Sequence, residues 1–161
     1  MESRVAKYLN GNRVPMSGSG SLKGDCYVPY DEYRTIYIEC KLTQSDVMRV
    51  PQTWLEKIEE ETLSMRCVCG ILVIHFVGSQ TDYCFISEGG INKLQKLSGI
   101  PVVGDATIHD HVYDRKTIPL SKHFLKEHIP TWIKTQHGLW LGLHLASIKS
   151  FLDGITKPNE E

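Results

Sequence analysis

Cys67-Val68-Cys69-Gly70-Ile71-Leu72-Val73-Ile74-His75-Phe76-Val77 is an almost continuous apolar run. Without polar alternation, such a run predicts a central strand buried on both faces. After it, Gly78-Ser79-Gln80-Thr81-Asp82 reads as a turn, and residues 83–87 predict a returning strand. Before it, Trp54, Leu55, Ile58, Thr62 and Leu63 mark the apolar side of a helix. Pro51 suits the first turn and predicts the helix start; Ser45 or Asp46 is an earlier candidate for the start of this element. Further upstream, residues 34–42 and 25–28 predict two strands. Residues 1–10 predict a short helix, with Glu2, Val5, Ala6 and Leu9 on one stripe and Gly11 as its stop. Downstream, residues 88–97 predict a helix, residues 99–120 hold short extended pieces, and residues 121–128 and 139–152 show helical patterns. This order predicts an α/β fold with a mixed central β-sheet flanked by α-helices.

The strand at 34–42 carries Tyr37-Ile38-Glu39-Cys40-Lys41. Residues i and i+2 of a strand point to the same side, so Glu39 and Lys41 share a face, roughly 6–7 Å apart along the backbone. Ile36, Ile38, Cys40 and Leu42 take the other, apolar face. A carboxylate beside an ammonium, with Asp25 arriving from the preceding segment, is a set of groups that suits a hard divalent cation and water. Phosphodiester hydrolysis uses those parts: a metal to acidify water and a cation near the developing charge.

The 161 residues are enough for one domain with a real core, and 41% hydrophobic content argues against disorder. A net charge of −1 does not advertise nucleic-acid binding, so any such role needs a local basic patch. The five cysteines are odd in number, fall on predicted strands and have no signal-peptide pattern before them; free thiols in a reducing cytoplasm are expected. No apolar run reaches membrane-spanning length. His109-Asp110-His111 lacks a second ligand set at convincing spacing, and His75 reads as a satisfied core residue. Trp140, Leu141, Leu143, Leu145, Ile148, Phe151 and Leu152 form a wide apolar stripe, read either as core packing or as a subunit interface. Lys93 with Lys96, and Lys122 with Lys126, each share a helix face that is either a solvated surface or a contact to a DNA backbone.

Glu2, Arg13, the Ser17-Gly18-Ser19-Gly20-Ser21 loop, Gly24-Asp25 and Ile38-Glu39-Cys40-Lys41 together resemble the PD-(D/E)XK nuclease superfamily, most closely the archaeal-type Holliday-junction resolvases and their bacteriophage relatives. The resemblance covers roughly residues 1–87. It implies a restriction-endonuclease-like sheet, with residues 1–98 as the nuclease core and 99–161 as an extension of the same domain that carries dimerisation or DNA-contact helices. It further implies Asp25, Glu39 and the Cys40 carbonyl as ligands to Mg2+, with Mn2+ able to substitute and Glu2 binding a second metal or its waters. Lys41 would serve the attacking water, and Ser19 the phosphate near the cut. Arg13, Ser17, Ser21, Lys23 and Thr43 would contact DNA. Glu2 also reads as an ordinary helix-end carboxylate, and the Ser/Gly stretch as a plain linker. The implied activity is a structure-selective endonuclease that nicks four-way junctions in pairs, as a homodimer in a cytoplasm (the host's, if phage-encoded). The alternatives are a related nuclease on linear or single-stranded DNA, and an inactive DNA-binding protein on the same fold.

Overall fold

The computed structural model describes residues 1–13, 26–112 and 116–156. The apolar run becomes β5 (Gly70–Phe76), buried on both faces between β3 (Thr35–Thr43) and β6 (Asp82–Ser87). β3 and β5 are parallel, from Tyr37↔Gly70 to Thr43↔Phe76. A parallel pair cannot be joined by a tight turn, and the crossover runs through α2 (Gln52–Ser64). Upstream of β3 come α1 (Glu2–Tyr8), β1 (Asn12–Arg13) and β2 (Cys26–Pro29), with β1, β2 and β3 forming an antiparallel meander.

Downstream of β6 the chain forms α3 (Glu88–Ser98), β7 (Thr107–Val112), β8 (Thr117–Ser121), α4 (Lys122–His128), β9 (Thr131–Thr135), β10 (Gly138–His144) and α5 (Leu145–Thr156). β10 pairs with β6, so the sheet continues as β1-β2-β3-β5-β6-β10-β9-β7. A short strand, β4 (Val47–Pro51), pairs with β8 in a separate ribbon. The architecture is mixed α/β, a mixed central sheet flanked by helices, as the order of elements predicts.

Each face of the sheet has its own core. On one face, Ile36, Ile38, Cys40, Ile71, Val73 and Ile86 pack with Val5 and Leu9 of α1, Ile91 and Leu94 of α3, and Ile148 and Phe151 of α5. On the other, Tyr37, Leu72, Ile74, Phe76 and Tyr83 pack with Leu55 and Ile58 of α2, Leu125 of α4, and Met48, Val50, Ile118 and Leu120 of the ribbon. Local chemistry sets the helix ends. Ser87 accepts from the Gly90 amide and Ser121 from the Phe124 amide, both as N-caps. Gly99 closes α3 at φ 74°, a left-handed conformation that glycine adopts without penalty.

One expectation is corrected and two open alternatives are decided. Residues 139–144 are strand, not helix: apolar side chains on both faces of β10 run into the apolar stripe of α5 and imitate a longer helical pattern. The stripe from Trp140 to Leu152 is buried within the chain's own core, so it offers no free face to a second subunit. The segment after Ser45 and Asp46 is the strand β4, and α2 starts after Pro51 as its proline predicts.

Candidate active site on one face of β3

β3 presents Tyr37, Glu39, Lys41 and Thr43 to the side covered by α2. α2 is fixed there at three places. The Gln52 amide donates to the Lys116 carbonyl at 2.8 Å, and the Gln52 side-chain oxygen accepts from the Gln136 amide at 2.8 Å. Leu55 and Ile58 are buried against the sheet. Gly70 of β5 lets the helix come close, since a Cβ there would overlap Thr62 Oγ1 and Ile58 Cγ2. This seating brings Trp54 and Lys57, one helical turn apart, over the Glu39 side of β3.

Glu39 is a buried carboxylate, 6% exposed. Such a group is costly unless its oxygens are engaged. The Tyr37 hydroxyl donates to Oε2 at 2.7 Å. Oε1 faces two ammonium groups, Lys41 Nζ at 3.4 Å and Lys57 Nζ at 3.8 Å. The Lys41 ammonium also lies 4.7 Å from the centre of the Trp54 ring, a cation–π contact that fixes where it points. Burial, followed by the hydrogen bond to Glu39 and the charge of Glu39, pushes the Tyr37 phenol well above its usual range, so it stays a neutral donor. Glu61, one turn beyond Lys57 on α2, adds a second carboxylate whose charge also acts on Tyr37, so two cations meet two carboxylates around the Glu39 oxygens.

Lys41 and Glu39 therefore meet on one side of β3, as the two-residue period predicts. Thr43 continues that side, with its hydroxyl accepting from the Ser45 amide at 3.1 Å. Cys40 faces the opposite core with its side chain. Glu2 opens α1, which packs on that opposite face, and Arg13 lies in β1, paired with Cys26. Asp25, Ser17, Ser19, Ser21 and Lys23 lie outside the described residues. Among the described residues, no three His, Cys, Asp or Glu side chains are grouped to hold a metal ion. All five cysteines are free and buried. No helix among the described residues is long and apolar enough to cross a membrane.

Sequence reasoning overlooked three members of this arrangement. Tyr37 was legible, because it continues the 37–39–41 alternation. Trp54 appeared only as part of the apolar side of α2, and Lys57 carried no signal at all; which strand residues a helix covers depends on how it is seated. No protein-family model matches this chain, and no curated protein matches it.

Proposed function

We propose that the protein is a metal-dependent endonuclease that resolves four-way DNA junctions, with Glu39 and Lys41 at its active site. One observation carries the reading: the buried Glu39 carboxylate is held beside Lys41 and Lys57 on a single side of β3. Asp25 is joined in the chain to Cys26, whose cross-strand partner Ile38 is joined to Glu39. The carboxylates of Asp25 and Glu39 and the carbonyl of Cys40 are hard oxygen donors, which is the chemistry that Mg2+ or Mn2+ takes, while the helix that Glu2 opens packs on the other face. When bound, such a cation supplies an acidified water and offsets charge on the phosphate. Lys41, aimed by Trp54, places a proton-bearing ammonium near the scissile phosphate, and Lys57 adds positive charge at the same edge. Tyr37 holds the Glu39 carboxylate in one orientation. Arg13, the serine-rich loop around Ser19, Lys23 and Thr43 would contact the strand backbone. Two copies acting together would make the paired nicks that resolution requires.

The test is cleavage of a labelled four-way junction with magnesium or EDTA, with Glu39→Ala alongside. Symmetric paired nicks that need magnesium and vanish in the variant support the proposal. Equal cutting of a linear duplex replaces it with a nuclease of another substrate. Tight junction binding without cutting, in magnesium and with manganese in its place, replaces it with a DNA-binding role.

A further inference from the structure

The opposite face of the sheet holds a second polar cluster. Asp82, at the start of β6, has a side chain only 4% exposed, and both of its oxygens are engaged. Oδ2 accepts from Arg4 Nη1 at 2.6 Å, across 78 residues of sequence, and Oδ1 lies 2.8 Å from His75 Nδ1. A guanidinium carries five N–H groups in a rigid fork, so this bond occupies one edge. The Arg4 side chain is half-exposed, at 53%, and lines a cavity of about 190 Å³. The same cavity is lined by Tyr8, Gln80, Thr81, His144 and Ala146. Its wall is more apolar than polar, with Leu145 and Ala146 beside a few polar side chains, of which Arg4 carries the positive charge and Asp82, the one carboxylate, is already engaged.

We propose that this cavity is a subsite for a phosphate group, gripped by Arg4 with the donors of Tyr8, Thr81 and Gln80 around it. Arginine's planar fork matches the oxygens of a phosphate, and the buried carboxylate behind it fixes its orientation before the ligand arrives. The volume falls below the roughly 300 Å³ at which pockets begin to take drug-sized ligands, so the site fits one phosphate group rather than a whole nucleotide. The phosphate comes either from a free ion or monoester or from a nucleic-acid backbone. The subsite lies on the face away from Glu39 and does not rest on the role proposed for that residue.

The test is titration of the 15N-labelled full chain with inorganic phosphate, followed at the Thr81 and Ala146 amides, alongside duplex-DNA binding measured against salt. Arg4→Gln removes the guanidinium. Ala146→Glu places a carboxylate at the cavity from an exposed position in the first turn of α5, where a glutamate is tolerated, and Ala146→Gln controls for size. The expected result is saturable phosphate shifts, weakened about tenfold in Arg4→Gln and Ala146→Glu but not in Ala146→Gln. If DNA affinity and its salt dependence also fall in Ala146→Glu by about one phosphate contact, the strand backbone is a source. Phosphate shifts without that effect identify a free phosphate instead. No shift at millimolar phosphate together with unchanged DNA binding in Ala146→Glu overturns the proposal, as does an equal loss in Ala146→Gln.

Discussion

The Lys41 ammonium lies 4.7 Å from the centre of the Trp54 ring, so a residue of the helical crossover aims a residue of the strand. Trp54→Leu keeps an apolar body and removes the π face, which contributes about 0.5–2 kcal/mol to holding a cation. The expected outcome is a roughly threefold to tenfold fall in the junction-cleavage rate with little change in junction affinity. Single-turnover kinetics and a binding titration on the same variant check this. An equal loss in both would mean that Trp54 serves binding and not the placement of Lys41.

Glu39→Gln separates fold from chemistry. The amide still accepts from Tyr37, while Lys41 and Lys57 keep enough exposure, 32% and 54%, to be solvated. Stability is expected to fall by about 1–3 kcal/mol, since the new buried amide NH2 then faces the Lys41 and Lys57 ammonium groups, which offer it no acceptor. Cleavage is expected to fall at least about a hundredfold, because the neutral amide is a poor ligand for a hard cation. Urea unfolding and a cleavage assay, run on one preparation, read the two effects independently.

Two glycines are expected to answer in opposite directions. Gly70→Ala forces a methyl against Thr62 and Ile58 and is expected to cost about 1–3 kcal/mol through overpacking. Gly89, in the first turn of α3, meets nothing within 4 Å of an added Cβ and needs no special backbone angle. Gly89→Ala is expected to stabilise by about 0.5–1 kcal/mol. Denaturant midpoints of both variants check the seating of α2, and a neutral Gly70→Ala would show that the helix can move away freely.

Burial pushes the thiols of Cys69 and Cys84 well above the ordinary value of 9.0, and that of Cys67 above it too. The unfolded chain then loses these protons before the folded one does. Their contribution is intact below pH 9 and declines as pH rises above it, because the folded state binds more protons there. Stability is expected to fall steadily above pH 9, and Cys84→Ala is expected to lower stability overall while making that decline shallower. Urea unfolding in steps from pH 8 upward measures the slope, and an unchanged slope in the variant would remove Cys84 from the account.

The parts of this fold legible in the sequence were those written in local periodicity. The apolar run fixed β5, the alternation through Glu39 and Lys41 fixed the polar side of β3, and Pro51 marked the start of α2. β9 and β10 were missed for a different reason. Trp140, Leu141 and Leu143 fill both faces of a strand, so they show no alternation, and they run directly into Leu145, Ile148 and Phe151 of α5. β4 is five residues long and finds its partner, β8, about seventy residues later. Arg4 and Asp82 meet across 78 residues of sequence, and Lys57 reaches Glu39 where Gly70 admits α2. None of these pairings leaves a trace at short range, since each depends on how separate elements are seated.

The ladder between β6 and β10 bears on how the chain can be cut. A fragment ending near residue 98 would keep the residues of the β3 site but lose the Lys116 and Gln136 anchors of α2, and would strip β6 of the partner that pairs it from Tyr83 to Ser87. It would also uncover the side chains now packed beneath α5. An open row of backbone donors and acceptors beside bare aliphatic surface is a template for further strands. Such a fragment is expected to self-associate into sheet-rich aggregates, so the last third of the chain acts as a built-in guard on the edge of the part that carries Glu39 and Lys41.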